Sequence, residues 1–204
     1  MIRKGAVWGS AVELTGGEPI AHGDAELASI LDRRPGITVR LDGGDLFTSL
    51  GGAPIDPDAA TISLPIDLLD VVATRPDGSV VTAVGVAHAV ARSRYWSGTF
   101  AVAMGATQFG PWNLGPKAHP NDGLVDLTVG SLSWGDRLKA RRLAPAGAHV
   151  PHPALRTERR RSVEVVFDRP RSLSIDAVPF GRIVSLRVTA RPDAGAVVLT
   201  VPAT

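Results

Sequence analysis

Alternation of hydrophobic and polar positions runs through most of this chain, and it predicts strands. The segments "SLPIDLLDVVAT" (63–74) and "SVVTAVGVAHAVA" (79–91) flank Arg75-Pro76-Asp77-Gly78, a turn sequence that folds such a pair into a hairpin. Further strands are expected in "GTFAVAMGAT" (98–107), "GLVDLTVGSLS" (123–133), "SVEVVFD" (162–168), "SLSIDAV" (172–178), "VSLRVTARPD" (184–193) and "AVVLTVPA" (196–203), separated by proline or glycine turns. Helical periodicity is clear once: Asp24 is placed to cap a helix whose Leu27, Ile30 and Leu31 share a face, closed by Arg33-Arg34 before Pro35. A short strand follows at Ile37–Leu41. In "LDGGDLFTSLGG" (41–52) a glycine turn leads into a brief helix, Asp45–Leu50, ended by Gly51-Gly52. A second short helix is expected at Trp134–Leu143. The expectation is a mainly-β protein: a two-layer β-sandwich of many short antiparallel strands, with a small N-terminal β/α portion. That portion (1–52) is expected to pack on the edge of the sandwich (53–204) as one structural unit.

Composition sets limits on this picture. Of 204 residues, 44% are hydrophobic and 21% charged, which suits a globular domain with a real core. The apolar runs fall far short of the roughly 20 residues that span a bilayer. Met1-Ile2-Arg3-Lys4-Gly5 has two basic residues with no apolar run behind them, so no signal peptide is expected. The absence of cysteine removes disulfides and thiolate metal sites and fits a cytoplasmic protein, with peripheral attachment to the inner face of a membrane as an option.

Net charge is only +2, but it is unevenly spread. Arg137, Lys139, Arg141, Arg142, Arg156, Arg159, Arg160 and Arg161 stand against only Asp136 and Glu158 in the same stretch. This block is either a solvated surface or a face for an anionic headgroup, membrane or phosphorylated ligand. No aromatic residues interleave with it, so nucleic acid is not expected as a partner. His149 and His152 lack a third ligand nearby and read as turn or surface residues. Neither a nucleophile elbow nor a phosphate-binding P-loop is present. "PKAHPNDGLVDL" (116–127) leaves two readings open: Asn121-Asp122-Gly123 as a plain turn, or Asp122 as a carboxylate beside exposed carbonyls, the makings of a hard-cation site.

Several of these pieces resemble, in order, motifs of the diacylglycerol kinase and sphingosine kinase family of lipid kinases. "GPKAHPNDGLVDLTVG" resembles its Pro-x-Ala…Asp-Gly-Leu-Leu-Asp segment, and "GGDLFTSLGGAPIDPDAA" its Gly-Thr-x-Asn-Asp-x-Ala-Arg-x-Leu-Gly segment. "LPIDLLDV" is similar to the Ile-Asp-Leu-Gly run that follows. "GAHVPHPAL" and "VEVVFDRPRSLSIDAV" are similar to the later Gly-x-His stretch and to the strands approaching Asp-Gly-Glu. The resemblance covers roughly residues 41–190 and implies the C-terminal β-sandwich domain of that family without its N-terminal ATP-binding domain. It also implies a weak magnesium or calcium site, from the Asp122 carboxylate with the carbonyls of His119 and Leu124.

The departures weigh against catalysis. The family's Gly-Gly-Asp-Gly-Thr nucleotide loop has no counterpart recognised in the 40 residues before the matched region, so no ATP site is expected. Asn-Asp becomes Gly44-Asp45, and Asp-Gly-Glu becomes Asp176-Ala177-Val178, where valine cannot serve as a base. A neighbouring carboxylate such as Glu164 or Asp168 is the candidate to take that role. The resulting expectation is a non-catalytic module binding a lipid or other amphiphilic or phosphorylated ligand, with Asp45, Asp176, Arg159, Arg160 and Arg161 as ligand-binding residues. The alternatives are a lipid-kinase component that needs a separate nucleotide-binding partner protein, and a structural or dimerisation domain without ligand.

Overall fold

In the computed structural model, which describes residues 8–14, 16–53 and 60–200, the chain begins with β1 (Ser10–Ala11), β2 (Ile20–Ala21), α1 (Asp24–Arg33), β3 (Thr38–Leu41) and α2 (Gly44–Ser49). Then follow β4 (Thr61–Thr74), β5 (Val80–Gly85), β6 (His88–Arg92), β7 (Phe100–Met104), β8 (Gln108–Phe109), β9 (Trp112–Asn113) and β10 (Val125–Gly130). The last part holds α3 (Trp134–Leu143), a 3-10 turn at Ala144–Ala146, β11 (Leu155–Arg160), β12 (Ser162–Ile175) and β13 (Val178–Thr200). The fold is mainly β, as the alternation predicts. One large curled sheet carries the strand order β1-β4-β13-β12-β6-β7-β10-β11, with β5 added to β4 and β3 to β13, and β8 and β9 form a separate hairpin.

Two pairs of expected strands are each one longer strand. "SVEVVFD" and "SLSIDAV" are one strand, β12, and the Asp168-Arg169-Pro170 break is a register shift between Val166 and Arg171. "VSLRVTARPD" and the described part of "AVVLTVPA" likewise join in β13, with a shift between Arg191 and Gly195; residues 201–203 lie outside the described residues. Proline and glycine here bend a continuous ladder, which a bulge allows without breaking the strand. The opposite happens at "SVVTAVGVAHAVA", which divides into β5 and β6. The backbone amides of Val86, Ala87 and His88 leave the ladder and donate to the Asp176 carboxylate instead. The Arg75–Gly78 hairpin forms as expected: Gly78 takes φ +84°, and Thr74 pairs with Val80. The strand β11 was hidden in the basic block, because its exposed edge carries charges rather than apolar residues.

Residues 20–49 do not stand apart from this sheet. β2 pairs in parallel with β3, and β3 in parallel with β13. Leu27 and Leu31 of α1 and Leu46 of α2 are fully buried in a core shared with Ile66, Leu68, Val86 and Val197. Each such side chain contributes about 1.5–3 kcal/mol relative to exposure. A second core, with Leu69, Phe167, Leu173, Ile175 and Ile183, fills the curl of the long strands. A third lies under the β8–β9 hairpin, built on Phe100, Val102, Met104 and Leu132. Among the described residues no helix is long and apolar enough to cross a membrane.

Candidate functional site

Two strand–glycine–aspartate–helix turns lie side by side at one end of the sheet. β2 runs through His22-Gly23 into α1 at Asp24, and β3 runs through Asp42-Gly43 into α2 at Gly44-Asp45. Contrary to the expectation from sequence, Asp24 does not cap its own helix; Gly23 holds that position without a side-chain cap. The Asp24 carboxylate reaches across instead and accepts from the amides of Asp45 (2.7 Å) and Leu46 (3.1 Å), capping α2. This contact explains Gly44. It has φ +101°, and a Cβ there would lie 2.4 Å from Asp24 Oδ1, so neither the family's asparagine nor any other side chain fits.

Asp45 is one member of a buried polar cluster. Its Oδ2 lies 2.8 Å from Nε2 of the fully buried His88, and its Oδ1 accepts from the Gly110 amide at 2.9 Å. Asp176, only 6% exposed, accepts three amides, from Val86 (2.7 Å), Ala87 (3.0 Å) and His88 (2.9 Å). Burial, with the nearby Asp176 charge, pushes the Asp24 carboxyl up to about 6. Burial raises Asp176 as well, partly offset by His88 and the amides. The His88 hydrogen bond, with its charge, draws Asp45 down. Burial opposes a charged His88, but the bond to Asp45 and the surrounding carboxylates win, and its pKa is raised. His88 thus stands among three carboxyl groups that favour its protonated form. Asp24, Asp45 and His88 offer ligand atoms within 4.8 Å of one another, the spacing a metal needs. All four oxygens of Asp24 and Asp45 already have protein partners, whereas Nδ1 of the buried His88 has none among the described residues.

The two rescue carboxylates sit elsewhere. Asp168 pairs with Arg171 (3.2 Å) and Glu164 with Arg187 (2.9 Å). At roughly 3.3 Å per strand residue both lie tens of ångströms along β12 from the Asp176 turn. Neither is positioned to replace the missing base. Val178 itself is 42% exposed at the start of β13.

The Asn121-Asp122-Gly123 turn is fastened to β4. Asp67 accepts from Gly123 N (2.7 Å), Asn121 Nδ2 (3.2 Å) and Asp193 N (2.9 Å), while its own amide donates to Pro120 O. Asp122 Oδ1 accepts from Leu124 N at 2.9 Å, and Oδ2 pairs with the Arg159 guanidinium. Arg159 also faces Asp126 at 3.4 Å, and His119 Nδ1 accepts from Asn121 N. Arg159 is therefore part of the turn, whereas Arg160 and Arg161 remain exposed. This Asp122 turn and the Asp45 cluster do not share a hydrogen bond among the described residues.

A pocket of about 390 Å³ opens beside the cluster, between the loop after β6, the β8–β9 hairpin and α3. Trp96, Phe100, Val102, Trp112, Leu114 and Leu132 furnish its apolar wall. Arg92, Arg94, Arg137 and Arg141 also line it. Phe109 links pocket to cluster: its ring meets His88 edge-on at 4.9 Å and stacks with Trp112 at 6.1 Å. His149, expected on the surface, is 8% exposed and lines the same pocket, with its pKa lowered by burial.

His88, Asp67, Arg92 and Arg94 carry no site signal of their own in the sequence, Asp24 reads there only as a helix cap, and Arg137 and Arg141 read only as members of the basic block. Two signals for the group exist there. The Gly-Asp turn recurs at Gly23-Asp24 and Gly44-Asp45, each after a short apolar strand, and six of the ten aromatic residues fall between Tyr95 and Trp134. The 20–33 strand–Gly-Asp–helix turn lies in the stretch where no nucleotide-loop counterpart was recognised; of Gly-Gly-Asp-Gly-Thr it keeps a Gly-Asp pair, with Ala25 and Glu26 after it.

The sequence matches no family model and no curated protein. Solved structures do match. A candidate diacylglycerol kinase from Bacillus anthracis strain Sterne aligns with 87% of this chain and 74% of its own at 12% identity and TM-score 0.51. Another from the same strain aligns over 87% and 76% at 10% identity and TM-score 0.50. The alignment takes in about three quarters of those chains. In fold, this chain is similar to diacylglycerol-kinase-like proteins.

Proposed function

We propose that this chain is a binding module of the lipid-kinase fold, which holds an amphiphile and does not transfer phosphate on its own. One observation carries the reading: Asp176, where the resemblance would look for catalysis, and Asp24, in the Gly-Asp turn beside it, serve as acceptors for buried backbone amides. In-line phosphoryl transfer needs groups free to hold nucleotide phosphates, metal and acceptor. Asp45 is tied to His88 and Gly110, and the hydroxyl-activating carboxylate is replaced by Val178. The apolar pocket supplies the binding half of the proposal, and the exposed Arg160 and Arg161 would favour an anionic membrane surface.

For the implied cation, the donor set at Asp122 is a poor fit. A divalent ion there would sit against the Arg159 guanidinium, which already neutralises both Asp122 and Asp126. We propose that Arg159 takes the cation's place.

The second reading, a kinase component completed by a separate nucleotide-binding partner, is favoured by the paired Gly-Asp turns carrying Asp24 and Asp45. Thermal melting with and without magnesium-ATP separates the two. A ligand that binds only the native state must raise Tm. No rise is expected; a saturable rise would favour the second reading.

A further inference from the structure

Resting on the amphiphile reading above, we propose that the pocket under α3 binds a single-chain amphiphile with an anionic headgroup, its tail among Trp96, Phe100, Val102 and Leu132 and its head among the pocket arginines. Size, wall chemistry and charge each contribute. At about 390 Å³ the pocket falls within the usual range for small-ligand sites, roughly 300–1,000 Å³. A group the size of a water takes about 30 Å³, so it holds on the order of a dozen methylenes.

The charge is the selective feature. Arg92, Arg94, Arg137 and Arg141 line the pocket, and among the described residues none of them forms an ion pair with a carboxylate. Arg92 lies over the Trp96 ring and donates to the carbonyls of Ser93 and Arg94. Arg137 lies over Trp134 and donates to Tyr95 O. Those contacts hold the two in place while leaving their charges uncompensated. Arg94 and Arg141 are exposed, and neither donates to a carboxylate or carbonyl among the described residues. Arg159, Arg171, Arg187 and Arg191, by contrast, have carboxylate partners. Positive charge around a low-dielectric cavity attracts an anion and repels a cation.

α3 is built as a cover that moves easily. None of its residues is buried, and Trp134, Leu138 and Leu143 present apolar surface at 66%, 47% and 46% exposure. A helix with so few buried contacts opens at low cost. A bound tail would give Trp134 and Leu138 a surface to close upon.

The test titrates dodecanoate, 1-dodecanol and dodecyltrimethylammonium, without nucleotide, into the purified chain. Calorimetry and tryptophan fluorescence report binding; Trp96, Trp112 and Trp134 line the pocket and only Trp8 lies outside it. Dodecanoate should bind at a one-to-one ratio, at least about tenfold more tightly than the alcohol, as a charge-assisted hydrogen bond warrants. The cationic amphiphile should be weakest. Arg94→Gln with Arg141→Gln should reduce the preference for dodecanoate over the alcohol while leaving alcohol binding in place. Val102→Phe should weaken all tails. Melting curves confirm that each variant is folded, and the arginine pair, being exposed, keeps the test valid if Val102→Phe is not. Equal affinity for the three headgroups, or a preference undiminished by the arginine substitutions, overturns the proposal. Because ATP is absent, lipid phosphorylation found elsewhere would sink the non-catalytic reading and leave this one standing.

Discussion

Removal of the Asp176 carboxylate should nearly unfold the protein, although valine already stands where the family's base would be. Asp176 sits in the two-residue turn between β12 and β13, where Ile175 pairs with Val178. Its side chain satisfies three amides at 2.7–3.0 Å in a region with no room for water: a Cβ on Gly85 would lie 2.7 Å from Ile175 and 3.0 Å from Asp176. A hydrogen bond to a charged group contributes about 1.5–3 kcal/mol net. Three of them, less the burial cost that raises Asp176's own pKa, leave an expected loss of roughly 3–5 kcal/mol for Asp176→Ala. That is a large share of the ~5–15 kcal/mol by which domains are stable. The next residue offers a control of opposite sign. Ala177 has φ +65°, a left-handed conformation that suits glycine, so Ala177→Gly should stabilise by about 1 kcal/mol. Urea denaturation followed by tryptophan fluorescence measures both. A loss below about 1 kcal/mol for Asp176→Ala, at unchanged denaturant slope, would refute the assignment of these amides to Asp176.

The buried cluster also sets a pH dependence. Asp24, raised from 3.8 to about 6, and His88, raised above its ordinary 6.5, both hold protons more tightly when folded. Their contribution is present at lower pH and lost as pH rises through those folded values, Asp24 alone accounting for at most about 3 kcal/mol. Asp45, held low, works the other way and loses its contribution only as pH falls below 3.8. His149, its pKa lowered by burial, works the other way over the same window, so the test uses His149→Gln: its stability should be higher at pH 5 than at pH 8, by melting curves at constant ionic strength, and a flat or rising profile contradicts the cluster's charge arrangement. Gly44→Asn, which introduces the asparagine of the motif this segment resembles, should destabilise by about 1–3 kcal/mol because its Cβ collides with Asp24; a stable variant would sink that account. Millimolar magnesium or calcium should leave the wild-type Tm unchanged and raise that of Arg159→Ala, whose Asp122 and Asp126 lose their counter-charge. An equal response from both proteins would return the cation to Asp122.

Much of the architecture was legible because burial imposes a period. The alternation of "SLPIDLLDVV" survives as β4, and the Leu27–Leu31 stripe survives as the buried face of α1. What could not be read was long-range pairing. A carboxylate's partner is set by the fold, so Asp24 read as a local cap and Asp176 as a ligand-facing residue until their amide donors, 21 and some 90 residues away, were located. The same holds for Arg159, one of three adjacent arginines, which alone turns inward to Asp122 and Asp126. β11 escaped because an edge strand need not be apolar. The pocket needed four separate chain segments, and only the clustering of aromatics between residues 95 and 134 hinted at it.

The most direct test of the central claim is phosphoryl transfer itself, with the purified chain, labelled magnesium-ATP and a panel of diacylglycerol and related lipids. Loss of a general base alone typically costs on the order of 10²- to 10⁴-fold. With Asp24 and Asp176 also committed to the backbone, no labelled lipid above background is expected. Lipid phosphorylation that disappears in Asp45→Asn or Asp24→Asn, with the variants still folded, would contradict the account and make the cluster an active site.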